Sequence, residues 1–233
     1  MNNPLIFERL EDMKFLSVDG GFYKFISRFW DIVKLNFCWL FFSLPLVTVG
    51  AATVAVYSVT NKMVDEKEGY ICREFWKAFK SNLKQGIPLG LILAGLIYVI
   101  WFSFSNYKAL DSALLMVGGI VVAFFTVLGF IYAFPLSARY ENTLLATIRN
   151  SMLISARFLG KTIFLIIILA VEFYLFLWIS VSYINLFVLL FGPACFMFTI
   201  SGIAMRCFRE LEKIEGMVTN PEVLEAERKE QNM

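Results

Sequence analysis

From Lys161 to Arg206 the chain carries one charged side chain between its ends, that of Glu172. TIFLIIILAV precedes it and FYLFLWISVSYINLFVLLFGPACFMFTISGIAM follows it. A helix needs about 20 apolar residues to cross the hydrocarbon core of a bilayer. The run is long enough for two spans back to back, and a soluble domain has no interior in which to hide it. The chain is therefore read as a membrane protein.

Three more uncharged stretches are long enough to matter. Leu35–Asn61 is interrupted by Pro45 and Gly50, Gln85–Tyr107 only by Pro88, and Ser112–Ala138 only by Pro135 near its end. If Leu35–Asn61 crossed once, there would be five spans. Arg9, Lys14, Lys24, Arg28, Lys34 and Lys108 would then lie outside. If it folds back at SLPLVTVG, Lys108 alone lies outside and the other 20 of the 21 Lys and Arg face the cytoplasm. The bias of basic residues towards the cytoplasm favours the hairpin. The fold predicted is an all-α integral membrane bundle of about six helical segments in three hairpins, with five spans as the alternative. Both termini are expected in the cytoplasm of a multi-pass protein of a bacterial plasma membrane. The very short links at Asn106–Asp111 and Ser182–Asn185 are expected outside. Residues 1–208 form one transmembrane domain, and 209–233 a charged tail whose helix ends at Gly216.

The turn is assigned to Pro45, Thr48 and Gly50, near the outer surface. Pro and Gly suit a reversal, and Gly50 is expected to take a backbone angle that other residues resist. The return arm AATVAVYSVTN is short and small-residued, short enough for a half-span. Ala51 and Ala55 give it a face for close packing on a neighbouring helix. Gly86, Gly90 and Ala94 supply another such face at the start of the Gln85–Tyr107 span.

Two stretches have the pattern of helices lying in the membrane surface. In GGFYKFISRFWDIVK, Phe22, Phe25, Ile26, Phe29 and Val33 share a face. In CREFWKAFKSNLKQG, Phe75, Trp76, Phe79 and Leu83 recur at helical spacing opposite Arg73, Lys77, Lys80 and Lys84. Anchoring to membrane lipids accounts for both. The second helix, with Trp76, Phe79, Lys80 and Leu83, is also read as a docking surface for a partner, because Trp is enriched among binding hot spots.

Glu172 lies eleven residues after Lys161, about 16 Å along a helix. A carboxyl at that depth is costly and needs a buried donor or a proton. Tyr98, Trp101, Ser103, Tyr132 and Ser180 are the candidate donors, and Glu172 is the candidate intramembrane polar site. The Gly192-Pro193 pair in the last span is read as a proline kink rather than a broken helix lining a path.

Composition removes several classes of function. A net charge of +2 gives no case for nucleic acid, and the absence of His removes the commonest metal ligand and proton shuttle. Cys38, Cys72, Cys195 and Cys207 have no regular spacing and are read as reduced packing residues. The sequence contains no P-loop, dinucleotide fingerprint or HExxH motif. No catalytic residue, metal site or cofactor is expected, and the chain is not read as an enzyme.

NFCWLFFSLPLVTVGAATVAVYSVTNKMV, EFWKAFKSNLKQG and FPLSARYENTLLATIRNSM together resemble the YesL family of small bacterial membrane proteins. Ser43 to Gly50 and Phe79 to Gln85 are the most specific parts of the likeness, which extends over nearly the whole chain. The resemblance implies a Gram-positive type of bacterium and a gene beside carbohydrate ABC importers and glycan-degrading enzymes. The family has no agreed activity, so the resemblance assigns no catalytic residue and no sugar contact. The function expected is that of a non-enzymatic accessory subunit of such an importer, acting on assembly, stability or gating of ABC permease subunits. A small stand-alone carrier or channel, a membrane scaffold or sensor, and self-association are the alternatives.

Overall fold

A computed structural model describes residues 21–65, 69–107, 112–181 and 185–219, with 21–25, 176–181, 185–191 and 215–219 described as backbone alone. The residues described are all-α: α1 Gly21–Ser43, a 3-10 turn Leu46–Thr48, α2 Val49–Val64, α3 Ile71–Asn106, α4 Ala113–Phe130, α5 Ala133–Arg139, α6 Leu144–Arg157, α7 Leu159–Val181 and α8 Asn185–Thr219. Lys108, residues 108–111 and 182–184 of the two short links, Arg9, Lys14 and the end of the tail lie outside the described residues, as do the side chains of Phe22, Lys24 and Phe25.

The helices form three antiparallel pairs, α1 with α2, α3 with α4, and α7 with α8. Leu35–Asn61 thus folds back. Its turn is built by hydrogen bonding: the Thr48 hydroxyl lies 2.7 Å from the carbonyl oxygens of both Phe42 and Pro45. It thereby covers acceptors left free where α1 ends. The return arm α2 is largely buried. Ala51, Ala52, Val54, Ala55 and Val56 are fully enclosed, and their small side chains let α1, α3, α5 and α8 close around one helix.

Several expectations are corrected. Both stretches assigned to the membrane surface are the first parts of longer helices, α1 and the 36-residue α3. Most of the aromatic face of the second is spent inside the chain, because Phe75 and Phe79 pack with α1 and α2 in one core cluster, while Trp76 stays exposed. The turn is not at the far end of the bundle. Gly50 meets Gly86 and Gly90, so the hairpin stops about 24 Å short of Asn106 at 1.5 Å per residue. At 16 residues α2 also falls short of a full crossing. Among the described residues, α3 and the run Ala113–Arg139 are long and apolar enough to span, and a third span follows if α6 and the bent-over α7 count as one. The helix expected to end at Gly216 runs on to Thr219 as α8.

Two prolines act differently. Pro135 has no N–H for the Ile131 carbonyl, and the apolar run breaks at Ile131–Tyr132 into α4 and α5. Ser151 of α6 repairs the break. Its hydroxyl accepts from the Tyr132 N–H at 3.2 Å and donates to the Leu128 carbonyl at 3.2 Å, bridging the donor and acceptor that an unbroken helix would pair directly. Pro193 leaves α8 continuous. The backbone N–H of Ala194 just after it is bound at 3.1 Å by Oδ1 of the fully buried Asn36 on α1.

Candidate functional site

Glu172 sits in the seam between α7 and α8, half-buried. Its hydrogen-bonding neighbours are the Cys195 thiol and the Thr199 hydroxyl, one helical turn apart on α8. The expected donors are engaged elsewhere. The Tyr132 hydroxyl pairs with Thr162 at 3.2 Å, and the Ser103 hydroxyl donates to the Val99 carbonyl at 2.9 Å. Tyr98 and Trp101 lie exposed on α3, and the Ser180 side chain is outside the described residues. The readable signal was Cys195 and Thr199 at i, i+4 on the facing helix. One carboxylate oxygen, Oε2, is buried with no protein partner. Beside it runs a shallow groove of about 290 Å³ between Ile167, Val171 and Leu175. A lone carboxyl beside a thiol and a hydroxyl has the means to tie two helices and to hold a proton.

The other site residues divide by role. Thr48 closes the turn, Pro45 is exposed at its start, and Gly50 lies in α2 against the α3 backbone. Close approach, not an unusual backbone angle, is what requires glycine there. Gly86 and Gly90 form the matching surface on α3, whereas Ala94 is exposed and outside the contact. In the expected docking helix, Trp76 is 42% exposed with the Lys80 ammonium 4.4 Å above its ring. Leu83 is half-buried, and Phe79 is only 7% exposed, so it belongs to the core.

A network of charges at one end of the bundle escaped sequence reasoning. Asp65 at the end of α2 pairs with Arg209 of α8 and, at 3.6 Å, with Arg139 of α5. Arg139 also grips Glu212 of α8 through two nitrogens, at 3.0 and 3.1 Å, and the Tyr140 hydroxyl donates to the same carboxylate. Lys161 pairs with Glu210, and Lys62 with Glu74. Burial pushes the Glu212 carboxyl up, but the hydrogen bonds from Tyr140 and Arg139 and the Arg139 charge outweigh it and hold it below the ordinary carboxylate value. Beside this network a cavity of about 370 Å³ opens between Tyr140, Asn142, Asn150, Arg157 and Glu212, floored by Ile154 and Phe208. Gln85, read as the start of a span, clamps α3 to the chain beyond α5 by donating to the Asn142 carbonyl at 2.9 Å. The partners in all these contacts are far apart in sequence and have no spacing signature.

Comparison with known proteins gives one match. Residues 32–104 fit the family model described as "Protein of unknown function, DUF624". No curated protein and no solved structure matches the chain significantly. The matched segment runs from α1 through the turn and α2 to the far end of α3. It contains Thr48, Gly50, Gly86 and Gly90, so the close backbone crossing lies within the family's own stretch. Over these residues the chain is similar to the DUF624 family, in keeping with the YesL-like family that its motifs resemble.

Proposed function

We propose that the protein is a non-enzymatic accessory subunit of a carbohydrate ABC importer, held in a bacterial plasma membrane with both termini in the cytoplasm. The observation that carries the subunit reading is the bareness of the α3–α4 hairpin. Only 11% of the most apolar stretch of α3, and 17% of that of Ala113–Arg139, is buried within the chain. Over the last turns of α3 and the first turns of α4 the two helices mainly face each other, as at Gly119 against Ser103, and only the end of α4 reaches α6, through Ser151 and Ser155. Lipid covers such faces by default, and helices of another membrane protein cover them when packing is good. The ion pairs at the opposite end are consumed in joining α2, α5, α7 and α8, which suits a structural part better than a reacting centre. The importer as partner rests on what the family resemblance implies.

The test is purification of the native complex in mild detergent, with the partners identified by mass spectrometry. Permease subunits recovered in constant ratio with the chain are expected. Recovery of the chain alone, after cross-linking as well as without it, would overturn the reading. A carrier is the second reading, favoured by the unpartnered Glu172 oxygen beside its groove. It requires solute uptake by the purified chain in vesicles, lost in Glu172→Gln.

A further inference from the structure

Cys38 of α1 and Cys72 of α3 are 34 residues apart in the chain, yet their sulfur atoms lie 3.5 Å apart. We propose that they form a dithiol site at which a hydroperoxide installs a reversible disulfide, clamping α1 to the start of α3. The inference concerns these two helices alone and does not depend on the importer reading.

Three features carry it. First, the sulfurs are already in contact. A disulfide needs about 2.05 Å between them, so about 1.5 Å must be closed, within reach of side-chain rotation and a small shift of the first turn of α3. Second, the two thiols differ in access. Cys72 is exposed in the first turn of α3, between Tyr70, which is 84% exposed, and the exposed Arg73. A water-borne oxidant reaches it there. Cys38 stands half-buried directly behind it. Third, the site lies at the polar end of α3, two residues from Glu74 of the Lys62–Glu74 ion pair, and not in the apolar half of the helix. An exposed thiol backed by a second one is the arrangement of redox-sensing cysteine pairs. In a reducing cytoplasm such bridges are transient.

The chemistry balances in two steps. The Cys72 thiolate attacks one oxygen of hydrogen peroxide, the O–O bond breaks, and the hydroxide that leaves takes a proton to become water. Cys72 is then a sulfenic acid. The Cys38 sulfur attacks the Cys72 sulfur, the S–O bond breaks, and the hydroxyl leaves as a second water with the Cys38 proton. Two thiols have lost two electrons, and one peroxide has become two waters. The product closes the chain from 38 to 72 into a loop that holds the α1–α2 turn and all of α2.

The test uses the full chain in native membranes treated with hydrogen peroxide, then alkylated and digested. Free thiols are expected to fall from four to two. A linked pair of peptides carrying Cys38 and Cys72 should appear and vanish with dithiothreitol. The oxidised protein should also melt several degrees above the reduced form. Four thiols remaining at peroxide levels that oxidise an exposed control thiol would overturn the proposal. So would Cys72 ending as sulfinic acid, or as a bridge between two chains, with Cys38 still alkylated. Because the mapping is done on the unaltered protein, it does not depend on a cysteine variant folding. Cys38→Ser adds one check: the linked peptide should be lost and Cys72 trapped as sulfenic acid.

Discussion

Gly50 and Gly90 touch backbone to backbone: a methyl on either would stand 2.7 Å from the other's Cα. A methyl on Gly50 would also lie 2.1 Å from the Gly86 carbonyl oxygen. The crossing of α2 over α3 therefore tolerates no side chain at Gly50. Alanine there must push α2 off α3, disturbing a core in which Ala51 and Val54 are fully enclosed. Gly50→Ala is expected to cost about 1–3 kcal/mol, as overpacking does, and Gly50→Leu more. Gly95 on the same helix is the control. A methyl there meets nothing within 4 Å, and alanine gains about 1 kcal/mol of helix propensity. Thermal melts in detergent compare them, and equal behaviour of the Gly50 and Gly95 variants would refute the close crossing.

Asn36 provides a second test. Its amide oxygen receives the Ala194 N–H next to Pro193. Asn36→Ala leaves that buried donor without this acceptor, a loss of about 1–3 kcal/mol. The melting temperature should fall, and the amide protons around Ala194 should exchange faster while those of α4 keep their protection. Unchanged exchange at Ala194 would show that the proline distortion needs no support from α1.

The contrast between Asn36 and Glu172 shows what the sequence disclosed. Glu172 stood out because its neighbours in sequence are apolar, and its placement in a helix seam follows from that isolation. Asn36 lies in a stretch with polar residues nearby and looked like the edge of a span, because its partner is 158 positions away. The helices, the fold-back at Pro45–Gly50 and the packing role of Gly86 and Gly90 were legible from local pattern. The reach of the hairpin was not. It depends on the register of α2 against α3, fixed by Gly50 at one end and the Lys62–Glu74 pair at the other. The aromatic face of α3 misled for a related reason: a helix covered by a neighbouring helix and one lying on a bilayer carry the same apolar stripe.

The Arg139–Glu212 link should make stability sensitive to acid. The folded-state pKa of Glu212 is held below its ordinary value. Its contribution is then present above the unfolded value, about 4.3 for Glu, and is lost as pH falls through the lower folded value. Wild-type protein is expected to lose melting temperature as pH drops below about 5. Glu212→Gln should melt lower at neutral pH and show a shallower fall in acid. The carboxylate is partly exposed, so the effect should be modest and should shrink at high salt. A Glu212→Gln protein with the same acid slope as the wild type would detach this pair from the pH response.

Trp76 and Phe79 stack 6.0 Å apart on α3, yet they should fail differently when removed. Phe79 packs within 5.0 Å of the Phe42 ring and is nearly enclosed. Phe79→Ala is expected to cost about 3–5 kcal/mol, as large-to-small changes of buried aromatics do, and to lower the yield of folded protein. Trp76 is 42% exposed and keeps part of its ring open beside Lys80, so Trp76→Ala should leave the melting temperature within a few degrees of wild type. If that open face meets a protein partner, the same variant should lose the partner during purification in mild detergent while still inserting into membranes, since insertion depends on the apolar runs of α3 and α4. If the face meets only lipid, every partner will stay bound. Retention of all partners by a well-folded Trp76→Ala protein would return Trp76 to a membrane anchor, and any docking would then be left to the bare α3–α4 hairpin.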